Sequence, residues 1–151
     1  MRCLIDTNIA LRLVDISSPQ HLMVKSALSR LVLQGDQIIL VPHIFYELWA
    51  VMTRPTDVNG LGWPPELAHS VINGLNSQFL FLADTPAVFD HWLNLVSLHR
   101  VSGKKAHDAR LAAVMQAHGL DSLLTFNETD FKRFGISVIT PTDLSSGGPT
   151  L

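Results

Sequence analysis

Short uninterrupted apolar runs alternate along this chain with longer stretches of helical spacing. Cys3-Leu4-Ile5 is the first run, closed by the polar trio Asp6-Thr7-Asn8, and a short helix is expected from near Ile9. From Pro19 to Leu33 the positions Leu22, Ala27, Leu28, Leu31 and Val32 follow helical spacing, and Gly35 sits where such a helix stops. Ile38 to Val41 is a second apolar strand. Pro42 then opens a helix over Ile44 to Thr53, which Arg54-Pro55 ends, and the Gly- and Pro-rich stretch to Pro65 reads as loop. Further helices are expected over Glu66–Asn76, from the Thr85-Pro86 start to about His99, and over Ala106–His118 with Gly119 as the stop. Phe79–Ala83, Ser122–Thr125 and Val138–Thr140 complete the strands, with Ser102 to Lys105 a loop. Continuous apolar strands separated by helices predict an α/β fold with a mainly parallel sheet covered on both faces. In such sheets the functional crevice lies beyond the carboxyl ends of the strands, which singles out Asp6.

Composition narrows the function classes. The 151 residues suit one domain, able to bury roughly 70% of the surface its unfolded chain exposes. Apolar residues at 47% and charged residues at 16% argue against disorder, apart from a polar, Gly-rich tail from Ser145. One domain is therefore expected over residues 1–143, with a flexible tail over 144–151. A net charge of −2 gives no global sign of a nucleic-acid partner, yet six of the eleven basic residues lie between Arg100 and Arg133. The single cysteine, Cys3, excludes an internal disulfide and reads as a small core residue in a reducing compartment. No apolar run approaches the ~20 residues of a membrane span, and a cytoplasmic location is expected.

Four carboxylates carry the candidate chemistry. Glu47 stands three residues after Ile44 and four before Val51, on what spacing makes the apolar stripe of its helix. Asp108 heads a similar stripe with Leu111, Ala112 and Met115. Each acid also has a purely structural account. Asp6 can cap the helix that follows it, Glu47 can reach solvent from the edge of its stripe, and Asp108 gains from the dipole of its helix N-terminus. Asp130, in Asn127-Glu128-Thr129-Asp130-Phe131, suits a turn. Together they make better sense as one acidic crevice, since converging carboxylates repel unless a hard cation neutralises them. Magnesium prefers oxygen ligands and keeps several waters, and it supports in-line attack on phosphorus without a histidine, serine or cysteine nucleophile. None of the seven histidines has zinc-type spacing to another ligand, and His107 beside Asp108 is incidental on this reading.

In order along the chain, Leu4-Ile5-Asp6-Thr7-Asn8, Tyr46-Glu47-Leu48, Ala106-His107-Asp108-Ala109-Arg110-Leu111, Leu124-Thr125-Phe126-Asn127 and Asp130-Phe131 resemble the PIN-domain ribonucleases. The likeness is to the VapC toxins of type II VapBC toxin–antitoxin pairs in particular, and it spans about residues 2 to 143. It implies a PIN-like three-layer α/β/α sandwich and an acidic pocket for Mg²⁺, with Mn²⁺ able to substitute. Asp6 and Asp108 would be metal ligands and Glu47 would complete the pocket. Asn127 stands where many members have an aspartate, so the fourth acidic role shifts to Asp130. Thr7, Asn8, Thr125 and Asn127 would support these acids. The resemblance further implies a homodimer, a cognate VapB-type antitoxin that blocks the pocket, and a structured RNA substrate such as tRNA or rRNA cut at an exposed loop. Lys104, Lys105 and Arg110 are the expected phosphate contacts.

Other classes fit less well. A haloacid-dehalogenase-type phosphatase wants an aspartate two residues after the first, where this chain has Asn8, and a receiver domain wants paired early acids. No phosphate-binding Gly-x-x-x-x-Gly-Lys-Ser/Thr loop occurs. The remaining rivals share the fold: an RNA-processing or DNA-directed nuclease, or a catalytically inactive binding module.

Overall fold

The structure is a computed structural model that describes residues 1–145. Five strands run in the order β3-β2-β1-β4-β5, all parallel: β1 (Arg2–Ile5), β2 (Gln37–Leu40), β3 (Leu80–Phe81), β4 (Ser122–Leu124) and β5 (Val138–Ile139). Between and after them lie α1 (Thr7–Val14), α2 (His21–Leu33), α3 (Pro42–Thr53), α4 (Pro65–Gln78), α5 (Pro86–Leu98), α6 (Lys105–His118), α7 (Glu128–Phe131) and α8 (Pro141–Ser145). The expected α/β fold is therefore the observed one, and its sheet is parallel throughout the described residues.

Burial explains why the central strands lack polar alternation. Cys3, Leu4, Ile5, Ile39, Leu40, Leu123 and Leu124 are all fully buried, as strands covered on both faces must be. Each such leucine or isoleucine contributes about 1.5–3 kcal/mol by leaving water. The edge strands β3 and β5 are two residues each, and Leu80 and Phe81 are substantially exposed. The run Phe79–Ala83, expected as a buried strand, is thus a short edge, a length that limits unwanted pairing with other chains.

The chain builds outward from β1 to β2 and β3, then returns to place β4 on the other side of β1. The direction of winding therefore reverses between β1 and β4, and a crevice opens where their carboxyl ends part. Register puts Ile5 beside Leu124, so the next residues, Asp6 and Thr125, emerge together at that opening.

Element ends follow local chemistry. Pro42 and Pro86 occupy the first turns of α3 and α5, where no N–H is needed. Thr85 does precede α5, but its hydroxyl makes no capping bond. Gly119 ends α6 at φ 61°, the left-handed turn glycine adopts without strain. The loop after α3 folds back upon it: N–H groups of Leu61, Gly62 and Trp63 donate to the carbonyls of Val51, Arg54 and Met52 at 2.8–2.9 Å. These bonds satisfy carbonyls a helix C-terminus otherwise leaves open.

Two sequence boundaries need correction. α1 starts at Thr7, immediately after Asp6, rather than near Ile9. Leu144 and Ser145 are helical, within the segment expected to be a flexible tail, and the Arg30 guanidinium donates to the Leu144 carbonyl. The rest of that tail, 146–151, lies outside the described residues. No helix among the described residues is long and apolar enough to cross a membrane.

Candidate active site

Asp6 is the residue around which the crevice is organised. Its backbone N–H continues the β1–β4 ladder to the Leu124 carbonyl at 3.0 Å, and its own carbonyl accepts from Ile9 and Ala10. The side chain is 7% exposed. One carboxylate oxygen accepts from the Thr7 N–H at 2.7 Å, and the other from the Thr125 hydroxyl at 2.7 Å. Asp6 does cap α1, so the structural account from sequence is correct and coexists with a place in the site.

Thr125, fully buried, is the joint that locks this arrangement. Its hydroxyl donates to Asp6 and accepts from the Asn8 side-chain amide at 3.3 Å and the Asn127 backbone N–H at 3.0 Å. Asn8 in turn accepts from the Phe126 N–H at 3.4 Å. The expected supporting residues Asn8, Thr125 and Asn127 are thus brought together around Asp6. Asn127 takes part through its backbone, while its side chain is exposed.

Glu47 takes the second of its two expected places, the edge of its stripe that reaches solvent. Its side chain is 47% exposed rather than buried on the core stripe. The buried line of α3 runs through Ile44, Phe45, Leu48 and Met52, which leaves position 47 on the flank that opens to the crevice. Two groups hold it there. Thr7 donates to Glu47 Oε1 at 3.2 Å, and His43, one turn earlier and itself buried, places Nε2 against the same oxygen. The hydrogen bond from His43 holds the Glu47 carboxyl below the usual carboxylate range. His43 escaped the sequence reading, although its four-residue spacing to Glu47 is the helical spacing at which side chains meet.

Asp108, half-buried at the start of α6, heads the stripe of Leu111, Ala112 and Met115 as expected. Burial, then the charges of Asp130, Asp6 and Glu47, raise its carboxyl above the ordinary range. Burial chiefly raises Asp6 as well, against the Thr125 and Thr7 hydrogen bonds that lower it. The four predicted acids therefore act on one electrostatic neighbourhood. Two of them, Asp6 and Asp108, are held there at a cost to their charged forms.

The basic residues are mostly engaged. Lys105 Nζ lies 3.1 Å from Asp130 Oδ1, and Arg110 Nη2 lies 2.8 Å from Asp84 Oδ2. Lys104, exposed on the loop before α6, accepts the His107 N–H at its carbonyl, and its ammonium makes no hydrogen bond or ion pair among the described residues. Two of the three expected phosphate contacts thus already neutralise carboxylates. Asp84 was not singled out by sequence, because nothing in its spacing links it to Arg110, 26 residues away.

The donors of the crevice are oxygens of Asp6, Glu47, Asp108 and Asp130, a set suited to a hard divalent cation. Among the described residues, no group of three or more histidine, cysteine, aspartate or glutamate side chains is close enough to enclose a metal together. A closed protein cage is therefore not what these acids form, and a hard cation held here would take one or two of them and fill its other positions with water.

Comparison with known proteins bears on the fold and the family. The chain is 28% identical over 144 residues to Ribonuclease VapC24 of Mycobacterium tuberculosis, covering 95% of this chain and 98% of that protein. Its fold is similar to that of VapBC2 from Rickettsia felis bound to a promoter DNA fragment (TM-score 0.71, 16% identity, 93% of this chain and 98% of that one). It is also similar to Mycobacterium tuberculosis VapC20, described as a Sarcin-Ricin loop cleaving toxin (TM-score 0.65, 18% identity, 89% and 95% covered). A family model for the PIN domain matches residues 3–136, and the chain belongs to the PIN-domain family.

Proposed function

We propose that this chain is a divalent-metal-dependent endoribonuclease that serves as the toxin of a VapBC-type toxin–antitoxin pair in the cytoplasm. The observation that carries the reading is the position of Asp6. It is buried at the carboxyl end of β1, fixed from β4 by Thr125, and shares a field of like charge with Asp108 and Glu47. A buried acid kept among other acids is unfavourable for stability and useful for holding a cation.

Asp6 and Asp108 would hold a Mg²⁺ ion, or Mn²⁺ in its place, with Glu47 and Asp130 facing the same space. Such an ion supplies Lewis acidity toward a phosphodiester and lowers the pKa of a bound water. The chain's own groups do the rest. Thr125 and the Thr7 N–H fix both oxygens of Asp6, so the carboxylate cannot rotate away. His43 and Thr7 keep Glu47 ionised and oriented while its exposure leaves it open to a water from which it can accept a proton. Asp130, steadied by Lys105, adds negative charge beside Asp108. Lys104 is the cation available to an approaching phosphate.

The substrate is a structured RNA such as tRNA or rRNA, cut in an exposed loop. The similarity to VapC24 and the named activity of VapC20 support this class. A VapB-type antitoxin and a second copy of the chain are the protein partners. The exposed apolar residues Tyr46 and Trp49 on α3, and Leu22 and Leu33 on α2, are surfaces suited to such partners.

The test is cleavage of total cellular RNA by purified protein, with sequencing of the new ends. Cleavage should require Mg²⁺ or Mn²⁺, and Asp6→Asn or Asp108→Asn should lower it by at least about a hundredfold while circular dichroism is unchanged. Wild-type rates from Asp6→Asn would defeat the assignment of the site. Expression should also arrest growth, and co-expression of the neighbouring antitoxin gene should relieve it.

A further inference from the structure

A cleft of about 460 Å³ lies between the N-terminal halves of α5 and α6, walled by Asp84, Val88, Phe89, Trp92, His107 and Arg110. We infer that this cleft is a nucleobase subsite, which seats one unpaired base of the RNA beside the phosphate to be cut. The inference rests on the ribonuclease reading for its substrate and on the cleft's own geometry for its ligand.

Phe89 and Trp92 stand one helical turn apart on α5, with ring centroids 6.1 Å apart and planes inclined by 34°. Phe89 is 62% exposed, a large aromatic side chain that the fold itself leaves in water. Trp92 is fixed in place, because its indole N–H donates to the Ala106 carbonyl on α6 at 2.8 Å. That bond engages the edge of the indole, and the ring lines the cleft beside Phe89. Flat apolar faces held rigidly are what a base stacks upon, and stacking tolerates any base because each has a π-face.

The polar groups of the wall suit the same ligand. Asp84 holds one terminal nitrogen of Arg110 at 2.8 Å, while the other, Nη1, is buried without a hydrogen-bond partner. Arg110 lines the cleft, and its unpaired Nη1 can meet a carbonyl or ring nitrogen on a base edge once the guanidinium turns toward the cleft. An aliphatic ligand would fill the apolar wall and leave that donor unmet.

The cleft also has the right neighbour. His107 lines it, and the next residue is Asp108 of the acidic crevice. The His107 ring lies 6.4 Å from that of His43, which holds Glu47. His107, which also acts on the charge of Glu47, thus stands between the cleft and the crevice. A base in the cleft would belong to a nucleotide near the scissile bond, and a single-stranded loop can splay such a base outward.

Two measurements test this. Metal-free wild-type protein is titrated with the four nucleoside 5′-monophosphates, and the Trp92 indole N–H is followed by NMR, assigned with Trp92→Phe. At least one nucleotide should shift that signal saturably, inorganic phosphate alone should not, and Phe89→Ala or Phe89→Leu should weaken binding about tenfold or more. Phe89 is exposed, so neither variant threatens the fold. In the second measurement, abasic nucleotides are walked through an oligoribonucleotide that spans a mapped cut. One position should lower kcat/KM about tenfold or more in wild type and have no effect in Phe89→Ala.

If wild type cleaves RNA, yet no nucleotide shifts Trp92 and Phe89→Ala loses as much as wild type on abasic substitution, the subsite is overturned while the nuclease stands. A changed sedimentation coefficient in Phe89→Ala with that abasic loss intact also overturns it, and makes the cleft an interface between copies of the chain. If wild type cleaves no RNA, the nuclease reading falls and the titration alone decides whether the cleft takes a base.

Discussion

Thr125 decides more than any other single side chain outside the acids. With no exposure, its hydroxyl serves Asp6, Asn8 and Asn127 at once. Thr125→Val keeps the shape and removes all three bonds, stranding a buried carboxylate and a backbone N–H. The expected cost is about 1–3 kcal/mol in urea unfolding, together with a drop of roughly 10–100-fold in RNA cleavage. Thr125→Ser should restore most of both. Legibility in the sequence varied at this scale with how local the cause is. Asp6 and Asp108 could be picked out because spacing puts them at a strand end and a helix start. Glu47 was read either as part of the apolar stripe or as reaching solvent from its edge, and the edge is where it lies, because the buried line runs through Ile44, Phe45, Leu48 and Met52 rather than Val51. Its partner His43 was visible only as one of seven histidines, since burial is a tertiary property. The pairing of Arg110 with Asp84 was invisible for the same reason: two loosely spaced charges meet only after α5 and α6 have docked.

Elements were legible wherever apolar periodicity and a breaker residue agreed. The strands β1, β2 and β4 and the helices α2 to α6 lie close to where spacing put them. Short elements were not. The four-residue helix α7 and the short α8 have too few turns to establish a period, and they form through packing, α7 against α6 and β5 and α8 against α2. The loop after α3 was read as a simple connection, yet it clasps the end of that helix. Gly60 is critical there, because a Cβ would stand 1.9 Å from the Arg54 carbonyl oxygen, a backbone atom that cannot swing aside. Gly60→Ala should cost about 1–3 kcal/mol and loosen the end of α3, read as lowered stability and faster amide exchange at Leu61 and Trp63. An unchanged melting temperature would show that the loop can shift without harm.

For the whole molecule, the site works against the stability of the metal-free fold. Asp6 and Asp108 have carboxyl pKa values lifted in the folded chain, first by burial. Between the ordinary aspartate range and the lifted value, the folded state binds more protons than the unfolded one. Stability therefore falls as pH rises through that window and stays reduced above it. Glu47 runs the other way: its carboxyl is depressed by His43, so its contribution is present above the ordinary glutamate range and lost as pH falls through the depressed value. Asp108→Asn, free of divalent ions at neutral pH, should melt a few degrees above wild type, with the gap closing in acid. Mg²⁺ should then stabilise wild type more than the variant, because a ligand bound only by the folded state raises its melting point. Differential scanning calorimetry at pH 4 and pH 7.5, with and without Mg²⁺, checks both signs.

The bond between Thr125 and Asp6 joins residues 119 positions apart. Asp6 is made well before Thr125, so a nascent chain that has not yet reached Thr125 has no assembled centre with which to attack the RNA around it. The same separation makes the enzyme divisible. Two pieces parted in the loop before α6, one carrying Asp6 and Glu47 and the other Asp108 and Thr125, would each lack half of the centre. Their combined presence is what a split reporter of protein association would detect, as RNA cleavage that neither half performs.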